Sequence, residues 1–97
     1  MEMPVMDILK KNMQYAVLAI CEFDSKIEDI HRQFLRYRAG DIQIMPDWKT
    51  LERDLIDFSR RKFFSAALNS QLDRILHKFQ NRKKIWLTWV DELHGTR

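Results

Sequence analysis

The sequence predicts an all-α fold, an antiparallel bundle of about three helices with coiled-coil-like packing, and three observations carry that prediction. An unbroken heptad stripe occupies the first 40 residues, a second one resumes at Leu72, and the chain holds only two Gly and two Pro. So few turn residues cannot serve a sheet, which would need a turn about every ten residues.

The first stripe is Met6, Leu9, Met13, Ala16, Ile20, Phe23, Ile27, Ile30, Phe34 and Tyr37, ten positions stepping alternately by three and four. Those steps return side chains to one face of an α-helix, and a strict seven-residue repeat favours a supercoiled seam. One helix of roughly 34 residues, about 50 Å long, is expected from near Pro4 to Arg38. Pro4 suits its first turn and Gly40 its end. From Tyr15 to Cys21 the helix is apolar on every side, because Val17, Leu18, Ala19 and Cys21 lie off the stripe. Such a turn needs two neighbours, supplied by this chain or by a second copy.

Residues 41–46 read as a connector between Gly40 and Pro46, with Ile42 and Ile44 expected to cap the core. A second helix is expected to start near Asp47, whose carboxylate can accept from first-turn N–H groups. Its stripe is Trp48, Leu51, Leu55 and Phe58, widened by Ile56 and Phe63. Ser70 and Asp73 resemble a capping pair that would end helix two near Leu68 and start helix three at Gln71; the alternative is a helix that runs through. The last stripe is Leu72, Ile75, Phe79, Arg82, Trp86, Trp89 and Leu93, with one basic residue on the seam and Gly95 closing it.

A chain of 97 residues supports one core, so residues 1–97 read as a single helical domain. At 45% hydrophobic and 32% charged it is too apolar for disorder and too charged for a membrane span. The longest apolar run is Tyr15 to Cys21, and no basic patch leads into an apolar run at the start. No signal peptide or membrane association is therefore expected. With one cysteine and no internal disulfide, the expected location is the cytoplasm.

The net charge is +3, and the excess is confined to residues 69–97, with six basic against three acidic side chains. Arg60, Arg61 and Lys62 form one basic cluster and Arg82, Lys83 and Lys84 another, and clusters of this kind hold phosphate backbones. Trp86 and Trp89 follow the second, where aromatic faces beside cations can stack bases. The competing reading makes the triplets solvated helix faces and the tryptophans core.

Glu28-x-x-His31 has the spacing of the helix-borne metal pair of ferritin-like carboxylate proteins, with Asp91-x-x-His94 a weaker copy. Two further inward carboxylates are required. Glu28 and His31 lie off the seam, so an exposed surface pair is expected, and neither metal nor cofactor. Cys21 sits in the most apolar stretch, where a thiolate is disfavoured, and no convergent acid, base and nucleophile set is present. No enzyme and no small-molecule substrate are expected.

The fragments Thr50-Leu51-Glu52-Arg53 and Phe63-Phe64-Ser65-Ala66-Ala67 resemble pieces of the small helical nucleoid modulators of the Hha/YmoA kind, which partner a DNA-binding silencer. The resemblance covers under a tenth of the chain, at a shorter spacing, and the long first helix has no counterpart there. No residue role is carried over, and the resemblance adds weight only to an adaptor reading.

The function expected is a non-enzymatic helical protein-protein interaction module, of the adaptor, chaperone, inhibitor or small complex subunit kind. Ile20, Phe23, Ile27, Ile30 and Phe34 would form its assembly seam in an oligomer, and Trp86 and Trp89 its partner face. The alternative is a nucleic-acid-binding subunit of a ribonucleoprotein or DNA-associated complex, using the two basic clusters on helices two and three.

Overall fold

The computed structural model describes residues 5–61, 63 and 65–95, with side chains described from Met13 onward. Its described residues form three helices, α1 (Val5–Ala39), α2 (Trp48–Ser59) and α3 (Ala66–His94), and no strand. The predicted all-α three-helix bundle is the fold.

The end of α1 and the start of α2 fall where the sequence placed them. Gly40 adopts φ +85°, its N–H donates to the Tyr37 carbonyl at 3.1 Å, and the Asp41 N–H donates to the Arg36 carbonyl at 2.8 Å. This is a Schellman ending, in which a left-handed residue satisfies carbonyls the helix leaves unpaired. Asp47 caps α2, accepting from the Thr50 N–H at 3.1 Å and the Thr50 hydroxyl at 2.6 Å. Those two hydrogen bonds, the hydroxyl's first, hold its carboxyl below the ordinary value of 3.8.

The break between α2 and α3 corrects the sequence reading. It lies neither at Leu68 nor nowhere: α2 ends at Ser59, and Ser65 caps α3 by accepting from the Leu68 N–H at 3.3 Å. No Gly or Pro marks the end of α2. Its last turn instead closes through i to i−3 hydrogen bonds, Arg60 N–H to the Asp57 carbonyl and Arg61 N–H to the Phe58 carbonyl. The Asn69 side chain then donates to the Phe63 carbonyl at 3.0 Å, tying the connector to the first turn of α3. Ser70 and Asp73 are helix interior.

Cross-helix partners fix the topology. Asp24 meets Lys78, Glu28 meets Arg82, His31 meets Trp86 and Tyr37 meets His94, so both numbers rise together and α1 runs parallel to α3. Phe23 meets Phe58 while Ile30 and Leu51 line one groove, so α2 runs antiparallel to both. Each successive helix thus reverses direction, up, down and up.

The stripes form one core. Ala16, Ile20, Ile27 and Phe34 of α1, all four stripe residues of α2, and Leu68, Leu72, Ile75, Phe79 and Trp86 of α3 are buried, with Phe23, Ile30 and Tyr37 packed against them. Its widest part is aromatic: Phe34 stacks on Trp86 at 5.0 Å between centroids, and Phe79 meets Trp86 edge-on at 5.9 Å. Two expectations about the rim are corrected. Ile44 is 83% exposed and Ile56 points outward, while Pro46 is buried and Phe63 reaches the core from the connector rather than from α2.

The molecule is elongated, 65 × 21 × 16 Å. The 35-residue α1 spans roughly 52 Å and the 12-residue α2 only about 18 Å. The short middle helix lies beside α1 from about Ala19 to Gln33.

Candidate interaction surfaces

A polar seam joins α1 to α3 beside the apolar core. Lys78 donates to Asp24 at 2.5 Å and pairs with Glu28 at 2.6 Å, and Arg82 grips both oxygens of Glu28 at 3.1 and 3.2 Å. The fork-shaped guanidinium matches the carboxylate, which makes this the most geometrically specific contact of the seam. The hydrogen bond from Lys78 and the cation of Arg82 hold the Glu28 carboxyl below its usual 4.5, against partial burial. Asp24 and Glu28, in that order, push the Lys78 ammonium above 10.5. The basic interruption of the third stripe, Arg82, is thereby answered by a carboxylate on the facing helix.

One turn further along α1, His31 lies between Trp86 and Trp89, with ring centroids at 6.4 and 5.6 Å. The Trp86 indole N–H donates to His31 Nδ1 at 3.0 Å. Burial, then the nearby Arg82 charge, hold its pKa below the usual 6.5, while Glu28 acts the other way. The expected exposed Glu28 and His31 pair is therefore corrected. Both face α3, because Glu28, His31 and Asp24 lie on the flank of α1 adjoining the stripe rather than opposite it. Among the described residues, no group of three or more His, Cys, Asp and Glu is placed to hold a metal ion.

At the other face of α3, Lys83 pairs with Glu52 of α2 at 2.7 Å and sits 4.9 Å from the centroid of the Trp48 ring. An ammonium over an indole face is attracted by the ring quadrupole. Trp48 is buried, and its indole N–H has no hydrogen-bond partner among the described residues.

The sequence-predicted residues separate by these contacts. Ile20, Ile27 and Phe34 are buried within the chain's own core, and Phe23 and Ile30 are half-buried against α2. The seam is thus filled by this chain's own helices. Trp86 is wholly buried, a correction to its place on a partner face: its ring is enclosed by Phe34, Phe79 and His31. Trp89 is half-buried beneath the Arg38 guanidinium, 4.8 Å from its centroid. Arg60 and Arg61 of the first basic cluster follow the end of α2 rather than lying on it. Arg60 and Arg61 are exposed there, Arg61 over the rings of Phe58 and Tyr15, and Lys62 lies outside the described residues. Of the second cluster, Arg82 and Lys83 are in ion pairs and Lys84 is exposed. The clusters stand at different levels, Arg61 beside Tyr15 and Arg82 beside Glu28.

No family model, curated protein or solved structure matches the chain. Function rests on the surfaces themselves.

One group of uncovered apolar residues is on α1. Met13, Tyr15, Val17 and Leu18 are exposed, Leu18 at 69%, and Cys21 beside them is exposed as well. A smaller set, Leu35, Ile85, Leu87 and Leu93, lies toward the far end of α1 and α3. No described helix is long and apolar enough to cross a membrane.

Proposed function

We propose that the chain is a non-enzymatic helical interaction module that assembles through the outward face of the N-terminal half of α1, a second copy being the simplest occupant. The observation that carries this reading is the exposure of Tyr15, Val17 and Leu18, three off-stripe residues within one turn of α1, preceded by Met13, the stripe residue that is exposed among those described, while the stripe from Ala16 onward is packed into the core. Isolated apolar side chains on a surface need no explanation, but a contiguous group on one helix marks an interaction site. The physical reason is the length of α2, which is too short to cover both ends of α1.

This reading moves the assembly site. The heptad residues Ile20, Phe23, Ile27, Ile30 and Phe34 hold the bundle together, and the off-stripe residues Val17 and Leu18 meet the partner. Trp89 and its neighbours Ile85 and Leu35 form a secondary surface at the other end. The test is light scattering coupled to size exclusion on the wild type and on Val17→Glu/Leu18→Glu. The wild type is expected above the 11.8 kDa of one chain and the double variant at it, with helicity retained. One-chain masses for both at about 0.1 mM would refute self-assembly.

The nucleic-acid reading retains Arg60, Arg61 and Lys84 as exposed cations. It predicts an affinity that falls steeply with salt, and its cost is that Arg82 and Lys83 would have to leave Glu28 and Glu52 to reach a phosphate.

A further inference from the structure

The polar seam contains one histidine, His31, and its ring is hydrogen-bonded across two helices. His31 Nδ1 accepts from the indole N–H of Trp86, a residue with no exposed surface. Accepting at Nδ1 places the imidazole proton on Nε2. A proton added to the ring must then go to Nδ1, where donor would face donor.

We propose that His31 is an acid-sensitive latch on the α1–α3 pairing: protonation at Nδ1 removes the acceptor of the buried Trp86 indole and loosens the helices around it. The surroundings do not offer the imidazolium a compensating site. From α3 the facing charges are Arg82, beside the ring, and Lys78 one turn before it; from α1 they are Glu28 and Asp24. Both carboxylates are already engaged by Lys78 and Arg82. The Trp89 face, of a kind that attracts cations, already carries Arg38, itself paired with Glu92 at 3.9 Å. On the α2 side the charged pair of Glu52 with Lys83 is closed on itself.

The sign follows from linkage. Because burial and Arg82 depress the folded-state pKa of His31 below 6.5, the unfolded chain binds the proton more readily than the folded one. The latch therefore contributes fully above pH 6.5 and is lost as pH falls through the depressed value. A buried donor left without an acceptor is the structural form of that loss.

The experiment is thermal melting of the full chain at pH 7.5 and 5.5, for the wild type and for His31→Asn, whose side-chain oxygen can stand near the position of Nδ1 without titrating. The wild-type midpoint should fall by on the order of 5 °C, and the variant's should fall by much less, with His77 and His94 present in both. A pH-independent wild type, or an equal drop in the variant, would overturn the proposal. Should His31→Asn fail to fold, an NMR titration of the wild type decides. The Trp86 indole N–H resonance must then move with the His31 titration, and a resonance that stays fixed through it refutes the latch.

Discussion

At the residue scale, the aromatic side chains of the core occupy definite environments. Trp86 is enclosed by Phe34, Phe79 and His31, so Trp86→Ala removes a stacked ring and an interhelical hydrogen bond together. The expected loss is about 3–5 kcal/mol, measured by urea unfolding; a loss under about 1 kcal/mol would return Trp86 to the surface. Much of this was legible in the sequence, since Ile20, Ile27 and Phe34 recur every seven residues and are all buried. Two things were not. Periodicity alone cannot say which flank of a stripe adjoins a neighbour, so Glu28 and His31 read as solvated when they face α3. Nor can it distinguish an apolar residue that is covered from one that is not, so Leu18, Cys21 and Ile56 looked like core.

At the element scale, caps and ion pairs set helix ends and pairing. Ser65 is the N-cap of α3, and Ser65→Ala should cost about 1 kcal/mol in the same unfolding assay. The sequence offered Ser70 in its place because Asp73 follows at capping-box spacing, whereas Ser65 has an apolar residue, Leu68, three positions on. A cap of that kind has no partner signature, and with neither Gly nor Pro near Ser59 the connector was invisible. Misplacing it put Arg60 and Arg61 on a helix face. The ion pairs add a second element-scale expectation. Glu28 titrates below 4.5, so its contribution is present above that pH and lost as pH falls through the depressed value. Lys78 titrates above 10.5, so its contribution is present below that pH and lost as pH rises through the raised value. In Glu28→Gln the acid loss below pH 4.5 should be smaller than in the wild type, checked by melting at pH 3 to 5.

At the scale of the whole molecule, the decisive feature is the mismatch between α1 and α2. A bundle of three equal helices would bury every apolar flank, but here 12 residues stand beside 35. The heptad stripe from Ala16 onward thus serves the interior, and the proposal gives the off-stripe residues Val17 and Leu18 to a second copy. The central claim is this division of labour within α1. The most direct test is size exclusion with light scattering on two single variants, Ile27→Asp and Leu18→Glu, with helicity read on the same peaks. The account predicts that Ile27→Asp loses helicity, because a charge cannot be accommodated in the core, while Leu18→Glu stays helical and changes only in mass. A fully helical single-chain Ile27→Asp with an unfolded Leu18→Glu would contradict it and return the seam to the interface.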